Sequence, residues 1–261
     1  MPAKPPFPWR GWLAAFAVAA ILAWSWRGTG FSLAVLAQGL PEMGEYLARL
    51  TPSAERPWHA RYLPEIQARL LETVRIAFAA SVIGSALSLP FVLVGTRTLA
   101  PARWAYNLGR GFLNLLRTIP DLVLATVLVA ALGLGPLPGL VALVFFTFGI
   151  VAKLLSDTIE TVDPGPMEAI AAAGGTRLQR ALFAVFPQVA PDYAAYTLYA
   201  FEINVRVAAV LGLVGAGGIG QTLMTDIQLF RYGRIGLVVF SIFVVVLVID
   251  AFSTWLRSRL V

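Results

Sequence analysis

The sequence predicts an all-α, polytopic membrane protein with about six transmembrane helices. Three observations carry that expectation. Hydrophobic residues make up 58% of the 261 positions and charged residues only 13%, against about 25% charged in soluble domains. So few charges cannot shield so much apolar surface from water, and the mean hydropathy of +0.77 points to lipid as the solvent. The apolar residues also gather into runs of spanning length, about 17–25 residues. Finally, Arg residues flank most of those runs, as juxtamembrane cations do.

The runs fall near 11–26, 73–95, 112–135, 136–155, 193–216 and 235–256. The last, "IGLVVFSIFVVVLVIDAFSTWL", is the clearest. The first is short, but Trp9, Trp12, Trp24 and Trp26 bracket it as interfacial anchors. A signal peptide competes for that segment through its basic start and "AVAA". Bulky Trp24-Ser25-Trp26 stands where a cleavage site would be, and the topology favours retention.

Orientation follows from Lys and Arg in short loops. With the N-terminus inside, the inner segments 1–10, 96–111, 156–192 and 257–261 carry Lys4, Arg10, Arg97, Arg103, Arg110, Arg177, Arg180, Arg257 and Arg259. The short outer segments near 133–138 and 217–234 hold only Arg231 and Arg234. The long outer stretch 27–72 contains "FSLAVLAQGLPEMGEYLARL", which suits an amphipathic helix lying along the interface. Both termini are therefore expected inside. The chain divides into residues 1–72 (first span and outer segment), 73–256 (core) and a tail, 257–261.

Composition removes several kinds of chemistry. There is no cysteine and a single histidine, His59, expected as a solvated side chain of the outer segment. Thiol nucleophiles, disulfides and zinc sites built on Cys or several His are excluded. Neither lysine, Lys4 or Lys153, follows a glycine, so no P-loop exists to hold ATP. The net charge of +6 is carried mostly by Arg beside apolar runs and forms no dense patch for nucleic acid.

The inner segment 156–192 reads "SDTIETVDPGPMEAIAAAGGTRLQRALFAVFPQVAPD". Asp163-Pro164-Gly165-Pro166 can turn and start a helix, "MEAIAAA" forms it, and Gly174-Gly175 ends it. Thr176 can cap a second helix, "RLQRALFAVF", expected to stop before Pro187. A helical pair with apolar residues outside the membrane needs something to pack on: its own bundle, or another protein.

At this point the sequence resembles a family. Glu168-Ala169-Ile170, Gly174 four residues on, and Phe186-Pro187 are similar to the EAA loop of bacterial ABC importer permeases, with apolar departures at Ile170, Ala184 and Phe186. "LLRTIPDLVLA" at 115–125 and "TLYAFEINVRVAAVLGLVGAGGIG" at 197–220 resemble the phosphonate/phosphite permease subfamily. The resemblance covers roughly residues 70–256 and implies a type I ABC importer permease-like fold. It implies that a coupling helix with Met167, Glu168, Ala169, Ile170, Gly174 and Pro187 docks on a separate ATPase. It further implies ABC ATPase subunits that carry ATP and Mg, a second permease subunit (identical or related), and a periplasmic substrate-binding protein, in the cytoplasmic (inner) membrane of a bacterium. No cofactor is expected on this chain.

Gly215, Gly217 and Gly220 in "VLGLVGAGGIGQ" match G-x-G-x-x-G, the dinucleotide-binding fingerprint. That turn needs a preceding strand and an acid about 20 residues later, whereas here a span precedes it and no carboxylate lies between Asp226 and Asp250. Gly215, Gly217 and Gly218 are expected either to allow close helix packing or to line the outer mouth with irregular backbone.

Charges within the runs complete the candidates. Glu202 and Arg206 are four apart, as are Arg117 and Asp121 around Pro120. Such i,i+4 pairs share a helix face, and charged groups in a bilayer usually face a bundle interior or a wet cavity. They are either gates in a substrate path or internal salt bridges. Thr118 and Asn204 are further polar candidates for the path, and Asp250 is expected as an interfacial carboxylate. Pro120 would leave the Leu116 carbonyl without its helix partner.

The resemblance thus implies import of phosphonate, phosphite, hypophosphite or a related phosphorus oxyanion. Import of another small solute such as methionine, and an intramembrane enzyme acting on lipid phosphates, are the competing functions. The enzyme lacks a His/Cys constellation or dense acidic metal cluster to support it.

Overall fold

The computed structural model describes residues 9–30, 32–53 and 57–259. Lys4 and the Arg10 side chain of the basic start, Phe31, residues 54–56 and Leu260-Val261 lie outside the described residues. The chain forms two compact units, 1–51 and 52–261. The first contains α1 (Trp9–Gly28) and α2 (Leu33–Leu50). In α2, Leu33, Leu36, Leu40, Met43 and Leu47 recur at helical spacing, giving the amphipathic helix expected of this stretch.

The second unit is a bundle of α3 (Leu63–Gly95), α4 (Arg103–Thr118), α5 (Asp121–Leu132), α6 (Pro136–Ile159), α7 (Gly165–Ala172), α8 (Arg177–Arg180), α9 (Phe186–Leu211), α10 (Gly218–Gln228) and α11 (Tyr232–Arg257). Among the described residues four helical stretches are long and apolar enough to cross a membrane, and five if α4 and α5 count as one bent span. The 20-residue α1, with Arg27 and several Trp, is not among them.

Two expected boundaries move. The run 112–135 is not one straight span: α4 and α5 meet at 82°. Pro120 cannot continue the hydrogen-bond ladder, and the residue before it, Ile119, is held extended. The Leu116 carbonyl expected to be orphaned accepts the Ile119 N–H at 3.4 Å. The helix begun at Arg177 does not stop before Pro187. It widens into a π-turn over Ala181–Val185 and continues as α9, with Pro187 in a first turn that needs no N–H donor. The outer segment 217–234 contains α10, which packs on α3, α9 and α11.

Helices α3, α6 and α9 pack mutually at the centre. Three apolar clusters are stacked along α3. One end holds Val92, Leu99, Leu155, Ile159, Ala181 and Val185 beside the α7–α8 hairpin. The middle holds Ile76, Ala80, Leu143, Ala208 and Leu211, and the far end Ile66, Leu70, Ile219 and Val238.

Helix association in lipid relies on close approach and interhelical hydrogen bonds, since apolar burial drives little there. Gly84 fits against the side chain of Thr147 and the carbonyl of Val144 with no room for a Cβ. Asn204, expected along a path, is instead fully buried. Its amide donates to Ser81 Oγ at 2.8 Å and Thr147 Oγ1 at 2.7 Å, tying α9 to α3 and α6. Asn204→Ala is therefore expected to destabilise the bundle by about 1–2 kcal/mol, measured as a lowered midpoint of denaturant unfolding in detergent.

Candidate functional site

The α7–α8 hairpin is built by local chemistry. Asp163 Oδ1 accepts the Gly165 N–H at 3.0 Å at the start of α7. Gln188 of α9 bonds the backbone of Asp163 through both its amide atoms, at 3.2 and 3.4 Å. The helix ends as a Schellman motif: the Gly175 N–H reaches the Ile170 carbonyl at 2.8 Å and the Gly174 N–H reaches that of Ala171 at 3.0 Å. That closure needs the positive φ of +80° at Gly174. Thr176 and Gln179 then form a reciprocal capping box on α8.

Met167 packs against the end cluster, and Ile170 covers Gly175, whose absent Cβ would lie 2.4 Å from Ile170 Cγ2. Glu168 and Ala169 are exposed, and α7 buries none of its residues. An eight-residue helix held at both ends and open along its outer face is a preformed contact surface. Pro187 contributes by shaping the first turn of α9.

A second feature lies at the α4–α5 break. A cavity of about 340 Å³ is lined by Arg117, Ile119, Pro120, Asp121, Phe145 and Gly149, among others. Arg117 is exposed. The Arg117 stem runs alongside Gly149 of α6, where a Cβ would lie at ordinary contact distance, 3.5 Å. The expected i,i+4 pairing of Arg117 with Asp121 is absent, because the 82° bend puts them on different helices. Asp121 Oδ1 instead accepts the Leu122 N–H at the start of α5, where a negative charge suits the helix dipole. Thr118 donates to the Leu115 carbonyl at 2.6 Å and does not line the cavity.

Glu202 and Arg206 do pair, and both reach α11. Arg206 lies 3.0 Å from Asp250, and Arg257 lies 2.9 Å from Glu202. Two cations and two carboxylates thus form one neutral network joining α9 to α11, and Asp250 belongs to it. Glu202 is buried whereas Arg206 and Asp250 remain half exposed.

The glycine turn is sealed. Gly215, Gly217 and Gly218 have φ of +89°, +82° and +72° and are all buried, so here they line no mouth. The Gly215 carbonyl accepts from Gly135 at 3.0 Å, Gly217 lies against Pro136, and Gly218 lies against Thr73. Glu72 and Thr73 of α3 accept the Gly218 and Ile219 N–H groups at the start of α10. Further along α10, Asp226 is 1% exposed and meets Arg234 at 2.8 Å. Burial raises its carboxyl above the usual range, with Arg234 and Arg231 pulling it back.

Sequence reasoning used Arg103, Arg110 and Arg257 only to orient the chain. The spacing of seven among Arg103, Arg110 and Arg117 was an available signal that one face of α4 is cationic. Among the described residues no three His, Asp or Glu side chains converge as metal ligands.

The second unit is thus a helical bundle with one bent span and an exposed helical hairpin at one end. Residues 92–261 match the family described as binding-protein-dependent transport system inner membrane component, and the chain belongs to that family. It is therefore a multi-pass inner-membrane permease and not an enzyme, and the reading as a lipid-phosphate enzyme falls away.

It is similar to the phosphite transport system permease protein PtxC of Stutzerimonas stutzeri, 38% identical over 86% of this chain and 80% of that protein. It is also similar to the phosphate-import permease protein PhnE of Mycolicibacterium smegmatis, 43% identical over 73% of this chain but only 36% of that longer protein. In fold it matches a solved structure of the MetNI methionine ABC transporter, with a TM-score of 0.66 at 20% identity, covering 78% of this chain and 99% of that one.

Proposed function

We propose that the chain is the transmembrane subunit of an ABC importer for phosphonate, phosphite, hypophosphite or a related phosphorus oxyanion. Two such subunits, identical or related, line the path. ATP and Mg bind to a separate ATPase pair, which moves the spans through Met167–Gly174 and the rest of the hairpin. A periplasmic binding protein delivers the solute at the far end of the bundle, and both termini lie in the cytoplasm. The observation that carries this reading is the α7–α8 hairpin, preformed, closed by Gly174 and exposed along Glu168 and Ala169. The printed names of the similar permeases support the substrate class. The seven cations Arg97, Arg103, Arg110, Lys153, Arg177, Arg180 and Arg257, near the hairpin end or on inner segments, support the orientation.

The test is reconstitution with the cognate ATPase and binding protein, reading ATP hydrolysis with phosphonate, phosphite, hypophosphite, phosphate and methionine in turn. Stimulation by a phosphorus compound is expected. Stimulation by methionine alone would overturn the substrate class. Gly174→Val is expected to cut coupled hydrolysis at least about tenfold, because a β-branched residue at positive φ costs about 1–3 kcal/mol and opens the Schellman closure. Nothing lies within 4 Å of a Cβ there, so the bundle itself stays folded. Unchanged coupling in Gly174→Val and in Glu168→Ala would remove the hairpin from the mechanism.

A further inference from the structure

A cavity at the hairpin end has no role in the reading above. It measures about 610 Å³ and is lined by Arg97, Ala100, Ala102, Arg103, Tyr106 and Asn107, with no carboxylate among them. Its rim is fixed from the outside. Arg177 of α8 donates to the Ala100 carbonyl at 3.0 Å, and the Arg97 N–H donates to Glu160 at 3.3 Å.

The two carboxylates nearby are already used. Arg110 takes Asp157 at 2.8 Å and Glu160 at 2.9 Å, and Lys153 shares Asp157 at 2.8 Å. The Arg97 guanidinium is parked over the Tyr106 ring, 5.3 Å from its centroid. Arg103 makes no ion pair or side-chain hydrogen bond with any described residue, and Asn107 offers an amide beside it. Two arginine forks, a phenol and an amide surround the cavity, so its charged lining side chains are all cationic and several donors are available. An anion with several acceptor oxygens is what such a lining holds, because guanidinium groups match phosphate oxygens pairwise.

We propose that this pocket is an anion site, binding a phosphate-type oxyanion through Arg97 and Arg103, with Tyr106 and Asn107 as neutral donors. The chemistry is shared by a free phosphorus oxyanion and by the phosphodiester of an acidic lipid headgroup. The site is separate from the Arg117 cavity and does not require the substrate named above.

The test uses the full chain in nanodiscs, with Arg97→Gln/Arg103→Gln as the main variant and Asn107→Leu as a second that keeps both charges. Arg75→Gln, an exposed arginine of α3, controls for the loss of charge. One arm titrates inorganic phosphate calorimetrically in phosphatidylcholine discs. The other counts, by native mass spectrometry, the phosphatidylglycerol retained from mixed discs. The double variant is expected to weaken one of these at least about tenfold, from the strength of charge-assisted hydrogen bonds. Asn107→Leu is expected to weaken it less, and Arg75→Gln not at all. Loss in the first arm identifies a free oxyanion, and loss in the second a lipid. The proposal fails if neither arm changes in the double variant, including the case where only association with the ATPase is reduced. It fails equally if Arg75→Gln reproduces the loss.

Discussion

Arg117→Gln is expected to lower oxyanion uptake by the reconstituted importer at least about tenfold, with assembly and basal ATP hydrolysis unchanged. The break at Ile119-Pro120 takes two residues out of helical geometry, and both line the cavity beside α6. Arg117 lies at its wall, packed against Gly149, with no ion pair to any described residue. An oxyanion leaving water needs its charged oxygens satisfied by the protein, a net gain of about 1.5–3 kcal/mol per hydrogen bond, and this guanidinium offers a bidentate pair. Arg117→Lys keeps the charge but loses the fork, so an intermediate rate is expected. Asp121→Asn removes the one carboxylate lining the cavity and is expected to lower the apparent KM for the anion. The measurement is uptake of a radiolabelled phosphorus oxyanion into proteoliposomes. Uptake by Arg117→Gln equal to that of the parent chain would show that the cavity is not on the path.

Gly220→Val is expected to abolish the folded protein. A Cβ at this position would lie 2.0 Å from the Ala209 carbonyl oxygen and 2.8 Å from the Gly212 Cα. Both are backbone atoms, so no side chain can swing aside. Relieving the overlap means separating α10 from α9, which would disturb the far-end cluster around Ile219. Overpacking against backbone belongs to the severe tail of mutational effects, about 4 kcal/mol or more, and even Gly220→Ala carries the same overlap. Gly111→Ala is the counter-case: nothing lies within 4 Å of its Cβ inside α4, and a gain of about 0.5–1 kcal/mol is expected. The check is the yield of monodisperse protein and its unfolding midpoint in detergent. A normal yield for Gly220→Val would contradict the α9–α10 contact.

The sequence disclosed the helical class, the apolar runs and the hairpin because each depends on local pattern. Hydropathy is a property of a window, and Asp163, Gly174 and Thr176 act on backbone within two or three residues of themselves. The Glu202–Arg206 pair was legible for the same reason, since i,i+4 neighbours on an unbroken helix must meet. The same rule misled at Arg117 and Asp121, because it holds only where the helix is continuous and Pro120 interrupts it. Pro187 misled in the opposite direction. The wider π-turn over Ala181–Val185 ends just before it, and Pro187 falls in the first turn of the resumed α-helix, where proline is tolerated.

The roles of Asn204, Asp250 and the "GAGGIG" glycines had to wait for the tertiary structure. Nothing in the spacing says that Asn204 faces Ser81, 123 positions away, or that Asp250 meets Arg206, 44 away. Those partners are chosen by which helices lie side by side. The sequence alone determined that this chain must live in lipid, because its charges are too few for water, and that it offers a short helix on one side. Only the packing decided which polar groups are sealed as clamps and which stay open. That outcome depends on where Gly84 and Gly220 let helices approach and where the bend at Pro120 holds two of them apart.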